Sequence, residues 1–257
     1  MNNTSIGFFD SGIGGITTLN SVIKLLPNEH TIYLADSMNS PYGTKSNGEL
    51  IKTCKKNVEF LINNGCKLIV IACNTATTNS ISYLRQNYKI PFIGIEPAIK
   101  PAALNTKTGK IGVLATKGTL GSNLFEKTSS IHGQNIEIIE KQVNGLVELI
   151  EKNVFSGSKI DAILEKYITP MINLGIDKLV LGCTHYALVK NSIEKITKKQ
   201  IEIVECNYSV ALQTKKILYS LNLQNLEKTE INNIIYTNGN ENILKAMVDK
   251  KFKIFKI

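Results

Sequence analysis

Two stretches of the sequence share one pattern: residues 67–77 read KLIVIACNTAT, and residues 178–188 read KLVLGCTHYAL. In each, an apolar run ends at a small residue that is followed at once by a cysteine, Cys73 or Cys183. A single cysteine in such a place could be an ordinary buried core residue. The repetition, at a separation of 110 residues, indicates that the two cysteines share a role.

The same alternation of short apolar runs and longer amphipathic segments continues along the whole chain. It is typical of a parallel sheet with helices on both faces. The predicted strands are 6–9, 31–35, 67–72, 92–95, 110–114, 136–139, 178–181, 201–204 and 233–236. The predicted helical segments include 48–63, 146–154, 159–173 and 210–221.

A faint internal repeat predicts two halves of similar build. SIGFFDSGIGG near residue 10 resembles KIGVLATKGTL near residue 115, and the two cysteine motifs follow in the same order. We therefore expect an α/β protein with two pseudo-symmetric domains, each a mostly parallel sheet covered by helices. The crossover would lie near residues 96–97. If the halves face each other, the active site would lie in the cleft between them, with one thiol on each wall.

Composition argues against several classes of function. The longest apolar runs are five or six residues, far shorter than a membrane span, and no secretion signal is visible, so a cytoplasmic protein is expected. The net charge of +9 is carried almost entirely by lysine, since Arg85 is the only arginine. No aromatic residues are interleaved with these lysines, which favours solvated surfaces over a nucleic-acid site.

The cysteines and histidines do not form a recognisable metal or disulfide pattern. Five cysteines without a CxxC motif, and three histidines without an HxH or HExxH motif, indicate neither a disulfide framework nor a structural zinc site. Cys54, Cys66 and Cys206 need only a structural interpretation. The stretch GIGGIT is not GxGxxG, so a dinucleotide fingerprint is absent.

Polar residues follow the predicted strands at the points where they end. Because the carboxyl ends of parallel strands meet at one edge of a sheet, these residues would converge there in each half. Many of them could equally be helix caps or turn residues. The first half contributes Asp10, Ser11, Asp36, Cys73, Asn74 and Thr75, and the second contributes Thr116, Thr119, Cys183, Thr184 and His185.

Two thiols at such positions favour one chemistry over its rivals. A helix N-terminus stabilises a thiolate, and His185 can exchange a proton with Cys183. A cysteine hydrolase needs only one thiol with one histidine, so Cys73 would have no catalytic role. A disulfide switch usually has its two cysteines close in sequence, unlike Cys73 and Cys183. Racemisation of an amino acid requires two bases, one on each face of the α-carbon, and so uses both thiols.

Six motifs in order resemble a known family. They are FDSGIGG, SPYGTKS, VIACNTAT, IGIEPAIKPA, IGVLATKGT and VLGCTHY, and they run from about residue 5 to residue 190. Together they resemble the glutamate-specific members of the cofactor-independent aspartate/glutamate racemase family. The resemblance implies interconversion of L- and D-glutamate without a cofactor or metal, with D-glutamate used for peptidoglycan.

The resemblance also implies roles for individual residues. Cys73 would remove the α-proton of the D-enantiomer and Cys183 that of the L-enantiomer. Asp10 would support the first thiol and His185 the second, with Glu151 and Asp36 as auxiliary acidic residues. The residues implied to bind the amino acid are Asp10, Ser11, Pro41, Tyr42, Gly43, Asn74, Thr75, Thr116, Thr119, Thr184 and His185.

Domain limits and partners follow from the same resemblance. The first domain would comprise residues 1–97 and 208–257, because the C-terminal segment returns to it, and the second would comprise 98–207. A homodimer is implied. Aspartate-specific relatives tend to carry Glu at the position of His185 and His at that of Thr77, so both positions favour glutamate. An aspartate-type racemase and a non-catalytic two-domain small-molecule-binding protein stay open as alternatives.

Overall fold

The computed structural model describes residues 5–226 and 230–257 and divides the chain into two compact units. The first unit comprises the described residues within Met1–Ile95 and Asn207–Ile257, and the second comprises Glu96–Cys206. Each unit contains one sheet.

The strands in the described residues are short, and helices connect most of them. The strands are β1 (Ser5–Asp10), β2 (Thr31–Ala35), β3 (Cys66–Ile71), β4 (Phe92–Gly94), β5 (Lys110–Ala115), β6 (Glu137–Gln142), β7 (Lys178–Gly182), β8 (Glu202–Val204), β9 (Asn233–Thr237) and β10 (Phe252–Lys256). The α-helices are α1 (Ile16–Leu25), α2 (Asn47–Asn63), α3 (Asn74–Asn87), α4 (Ile99–Asn105), α5 (Lys117–Leu120), α6 (Asn123–His132), α7 (Leu146–Glu151), α8 (Ser158–Asn173), α9 (Lys190–Ile196), α10 (Asn207–Ser220) and α11 (Glu241–Met247). Short 3₁₀ helices cover Ser37–Asn39, Tyr42–Thr44 and Thr184–Val189.

The two sheets share a core of the same topology. The first has the order β10-β9-β2-β1-β3-β4 and the second the order β6-β5-β7-β8. With β5 placed on β1 and β7 on β3, the order β2-β1-β3-β4 matches β6-β5-β7-β8. Every strand pairing among the described residues is parallel. The predicted α/β architecture with two halves of similar build is therefore confirmed.

Burial explains why the central strands are apolar along their whole length. All residues of β2 and β7 are buried, as are all but the first residue of β1 and β5. In the first unit α1 packs against α10, and α2 packs against α3. A strand covered on both faces has no solvated side, so it lacks the alternation of a half-exposed strand.

Local signals account for the helix ends. Ser46 and Glu49 form a capping box at the start of α2: the Ser46 hydroxyl accepts from the Glu49 N–H at 3.4 Å, and the Ser46 N–H donates to the Glu49 carboxylate at 3.0 Å. Helix α7 ends at Glu151, three residues before the predicted limit of 154. The chain turns away there because Asn153 has a left-handed backbone, with φ of 65°.

One strand was missed by the sequence analysis. All nine predicted strands are present, with ends shifted by at most three residues. The C-terminal segment KKFKIFKI, interpreted only as a lysine-rich surface, contains β10. This strand lies at the edge of the first sheet, where exposed lysines are tolerated and discourage pairing with other chains.

No helix in residues 5–226 and 230–257 has the length and apolar character that crossing a membrane requires.

The junction of β7 and β5 supplies a test of packing. A Cβ atom at Gly182 would lie 2.8 Å from the Ala115 Cβ and 3.0 Å from the Leu114 carbonyl oxygen, both fixed by the backbone. We expect Gly182→Ala to lower the free energy of unfolding by about 1–3 kcal/mol through overpacking. Gly48→Ala in α2 is the control, because a Cβ there meets nothing within 4 Å. That change is expected to be neutral or stabilising by up to about 1 kcal/mol. Urea denaturation of both variants checks this, and equal stabilities would contradict it.

Candidate active site

The first thiol, Cys73, is the N-cap of α3. Its backbone is extended, with φ −138° and ψ 122°, and its side chain is buried. The sulfur lies 3.9 Å from the Ser11 hydroxyl oxygen. The thiol therefore sits at the positive end of a fourteen-residue helix, where a thiolate is stabilised.

Asp10 reaches the same edge of the sheet from the neighbouring strand. It is the last residue of β1, is fully buried, and accepts the Gly15 N–H at 2.9 Å through Oδ2. Gly15 is required here by close approach, since a Cβ would lie 2.9 Å from the Cβ atoms of both Asp10 and Ala72. The start of α1 thus holds the carboxylate beside the strand that leads to Cys73.

The first residues of α3 present polar groups at the same edge. Asn74 and Thr75 are both buried. The Asn74 amide nitrogen donates to the Ile95 carbonyl at 3.4 Å, whereas its amide oxygen, equally buried, meets no hydrogen-bond donor among the described residues. A buried acceptor without a donor costs about 1–3 kcal/mol, so this oxygen is suited to receive a donor from a ligand.

A loop after β2 carries the predicted residues Pro41, Tyr42 and Gly43. Tyr42 and Gly43 are buried, and Pro41 is partly so. The Tyr42 hydroxyl donates to Asp36 Oδ2 at 2.5 Å. Burial, with a further contribution from the Asp36 charge, raises the pKa of Tyr42 well above its ordinary value. The phenol is thus neutral, and its proton is used in the hydrogen bond to Asp36. The backbone of the loop is therefore the part able to contact a ligand.

The second thiol, Cys183, occupies the equivalent place in the second unit. It is buried, its backbone has φ −148° and ψ 134°, and it is the N-cap of the 3₁₀ helix Thr184–Val189. The helix that begins there is thus 3₁₀, and the α-helix α9 begins only at Lys190. The extended N-cap conformation is nonetheless the same as that of Cys73.

Cys183, His185 and Glu151 form a connected series. The sulfur lies 3.9 Å from His185 Nδ1, and His185 Nε2 lies 2.6 Å from Glu151 Oε1. His185 is buried, and Glu151 is the last residue of α7. In the neutral tautomer that donates its Nε2 proton to the carboxylate, Nδ1 carries no proton and can accept one from the thiol.

The predicted threonines lie beside the second thiol strand or directly after it. The Thr116 hydroxyl caps α5 by accepting the Thr119 N–H at 3.3 Å, and the two hydroxyl oxygens are 3.1 Å apart. Thr184 is buried and follows Cys183 directly. Capping and ligand binding are compatible here, because both use groups at a helix start.

Thr77 has a structural task. Its hydroxyl donates to the Ile71 carbonyl at 3.2 Å and accepts the Ile95 N–H at 3.1 Å, so it ties α3 to the ends of β3 and β4.

The other three cysteines are also buried and have free thiols. All five cysteines lie in the described residues, and none is in a disulfide. Cys54 and Cys66 are buried, and desolvation raises the pKa of each thiol to about 12. Cys206 is also buried. Within residues 5–226 and 230–257 there is no group of three or more His, Cys, Asp or Glu side chains that could hold a metal ion.

Comparison with known proteins agrees with this geometry. The model of the Asp/Glu/Hydantoin racemase family matches residues 16–211, which is more than half of the chain. The chain belongs to this family.

Relatives within the family are similar over most of their length. A glutamate racemase of Clostridium novyi is 42% identical over 245 residues, covering 93% of this chain and 94% of the relative. One from Herpetosiphon aurantiacus is 37% identical over 230 residues, covering 90% and 91%.

Solved structures show the same fold. Glutamate racemase isoform RacE1 of Bacillus anthracis has a TM-score of 0.88 at 28% identity, with 100% of this chain and 98% of that chain covered. The Escherichia coli glutamate racemase, in complex with L-glutamate and the activator UDP-MurNAc-ala, also has a TM-score of 0.88 at 28% identity, with 98% and 97% covered. The Francisella tularensis enzyme, in complex with D-glutamate, has a TM-score of 0.84 at 28% identity, with 99% and 98% covered.

Sequence analysis missed groups that surround Asp36. Asn57 and Asn238 both bond to Asp36, and no motif identified either of them. The pairing of Glu151 with His185 was not predicted, although both residues were named. Only the tertiary structure brings these residues together.

The buried thiols of Cys54 and Cys66 give a prediction for stability at alkaline pH. Cys54 and Cys66 have raised pKa values in the folded state, against about 8.5 when unfolded. Their stabilising contribution is complete below about pH 8.5 and is lost as pH rises towards 12. Each thiol then lowers the free energy of unfolding by up to about 1.4 kcal/mol per pH unit. Cys54→Ala should show a shallower decline between pH 8 and 10 in urea denaturation. An unchanged slope would contradict this assignment.

Proposed function

We propose that this protein is a glutamate racemase, which interconverts L- and D-glutamate without a cofactor: one of Cys73 and Cys183 removes the α-proton, and the other delivers its own proton to the opposite face. The observation that carries the proposal is the equivalence of the two thiols. Each is the N-cap of the helix that follows the third strand of its half, and the Cys183 sulfur lies 3.9 Å from His185 Nδ1. The relatives named above support glutamate as the substrate.

The reaction uses both thiols at one α-carbon. From D-glutamate, the Cys73 thiolate accepts the α-proton while the Cys183 thiol delivers its proton to the opposite face. The product is L-glutamate, with Cys73 as thiol and Cys183 as thiolate. From L-glutamate the roles reverse. No electrons are gained or lost, and each turnover leaves the two sulfurs with one proton between them.

The neighbours of each thiol help to set its protonation. Asp10 supports Cys73 from the adjacent strand. His185 can take the proton of Cys183, and Glu151 stabilises the resulting imidazolium at 2.6 Å. Thiol acid–base groups contribute about 10²–10⁴-fold. Donors around the carboxylates must supply the remaining rate enhancement by stabilising the carbanion-like transition state.

The substrate would be held without arginine. Backbone N–H groups and hydroxyls can bind carboxylates well, since hydrogen bonds to a charged acceptor are strong. The Asn74 amide oxygen, which lacks a donor among the described residues, is suited to the α-ammonium group. The residues proposed to bind substrate are Asp10, Ser11, Pro41, Tyr42, Gly43, Asn74, Thr75, Thr116, Thr119, Thr184 and His185.

Cellular context follows from this activity. We place the enzyme in the cytoplasm, because two thiols that must stay reduced suit a reducing compartment. D-Glutamate would be supplied to peptidoglycan synthesis. A homodimer is proposed on the resemblance to the family alone.

Two rivals make different predictions. A binding protein without turnover would keep its function after loss of either thiol, and an aspartate-type racemase would prefer aspartate. We expect Cys73→Ser and Cys183→Ser each to lower racemisation of glutamate by at least about 10²–10⁴-fold, because serine is a far weaker acid than a thiol.

Circular dichroism of D- and L-glutamate solutions, incubated without pyridoxal phosphate or metal, measures this loss. Cys66→Ser is the matched control, since Cys66 is buried at the start of β3, away from the carboxyl end, and should leave activity unchanged. If either active-site variant retains full racemisation, the two-thiol mechanism is wrong. If the unaltered protein racemises only aspartate, the substrate assignment is wrong.

The His185–Glu151 pair gives a directional prediction. We expect Glu151→Gln to lower activity by about 10–100-fold, because the imidazolium loses a charged partner. The effect should be larger for kcat with L-glutamate, where Cys183 starts as the base. The test is to measure kcat and KM separately for L-glutamate and for D-glutamate. The equilibrium constant between the two enantiomers is the same for the variant and the unaltered protein. Wild-type constants in both directions would contradict a role for Glu151.

A further inference from the structure

The carboxylate of Asp36 is already saturated with hydrogen bonds. Asn39 donates to Oδ1 at 2.7 Å and Asn238 donates to Oδ1 at 2.5 Å. Tyr42 donates to Oδ2 at 2.5 Å and Asn57 donates to Oδ2 at 3.4 Å. An ionised carboxylate has about four lone-pair positions. With four donors in place, Asp36 has no position left from which to take a substrate proton.

The donors come from three separate parts of the first unit. Asn39 and Tyr42 lie in the loop after β2, Asn57 lies in α2, and Asn238 follows β9. The Asn57 amide also donates to the Tyr42 hydroxyl at 2.8 Å. The phenol is therefore held as an acceptor and a donor at once, which fixes the loop that carries Pro41, Tyr42 and Gly43.

Asn238 holds the start of this loop with both ends of its amide. Its nitrogen donates to Asp36 and its oxygen accepts the Met38 N–H at 2.9 Å. The strand register places it there, since Ala35 of β2 pairs with Thr237 of β9. The next residue, Gly239, allows the close approach: a Cβ would lie 2.6 Å from the Ser37 Cβ.

We infer that Asp36, Asn57 and Asn238 are positioning residues, which set the Pro41–Gly43 backbone for substrate binding through Tyr42 and the loop start. The inference rests on the proposed function, in which that loop binds glutamate. It gives the C-terminal segment a part in the site: a residue 202 positions from Asp36 controls the geometry of the substrate loop.

Asn238 is the residue to test, because its variants separate positioning from folding. Asn238→Ala removes both amide bonds and should raise the KM for glutamate by about 10–100-fold with a smaller change in kcat. Asn238→Asp keeps the shape but sets a second carboxylate against Asp36. Since two adjacent carboxylates cannot both stay ionised, the KM should be high at pH 8 and recover as pH falls and the pair binds a proton.

A double variant completes the test. Asp36→Asn together with Asn238→Asp restores one amide–carboxylate pair, and its KM should be closer to that of the unaltered protein than the KM of Asn238→Asp. Asn242→Ala and Asn242→Asp are matched controls, because Asn242 is exposed in α11 of the same C-terminal segment. Urea denaturation of each variant reports any loss of stability separately.

The outcomes are distinct. A KM that rises in the Asn238 variants, depends on pH only in Asn238→Asp and recovers in the double variant supports the positioning role. An unchanged KM, or a KM raised equally at every pH in Asn238→Asp, overturns it while leaving the racemase assignment intact. Absence of racemisation by the unaltered protein overturns both.

Discussion

The structure depends on one geometric constraint: each thiol must leave a parallel strand at its carboxyl end and cap the helix that follows. Cys73 and Cys183 meet it with nearly the same backbone, φ −138° and ψ 122° against φ −148° and ψ 134°. Small residues make this possible. Gly182 lets β7 lie against β5 immediately before Cys183, and Gly15 brings the start of α1 against Asp10. Because both halves meet this constraint in the same way, the two thiols occupy equivalent positions.

Neutral donors contact the buried carboxylates of Asp10 and Asp36, whereas the buried Glu29 carboxylate of the same unit pairs with Lys67 at 2.6 Å. Asp36 is held by three amides and a phenol, and Asp10 by a backbone N–H. Arg85, the only arginine in the sequence, lies in the last turn of α3. Its guanidinium donates to the Phe92 carbonyl at 3.2 Å. A buried ion pair carries a large desolvation cost and fixes a strong local field. Neutral donors satisfy the same oxygens without such a field, and the proposed substrate carboxylates would be bound by the same kinds of group.

The sequence predicted those features of the fold that leave a pattern along the chain. The continuous apolar strands, the repeated cysteine motif and the equivalent halves follow from residue order, since burial on both faces leaves a pattern along the chain. Contacts across the fold leave no such pattern. Asn57 and Asn238 meet Asp36 from 21 and 202 residues away, and asparagine is common in turns, so neither could be identified. Strand β10 was missed because it lies at the exposed edge of the sheet, where its lysines interrupt the apolar run that marks the central strands.

Following deuterium at early times shows whether two thiols act on opposite faces of one α-carbon. D-Glutamate is incubated with the enzyme in D₂O, and both enantiomers are recovered after a few per cent conversion. A two-thiol mechanism places deuterium at the α-carbon of the L-glutamate product and none in the recovered D-glutamate, because the base that removes hydrogen does not return it. Deuterium in the recovered substrate, or protium carried into the product, would indicate a single base and rule out the two-thiol mechanism.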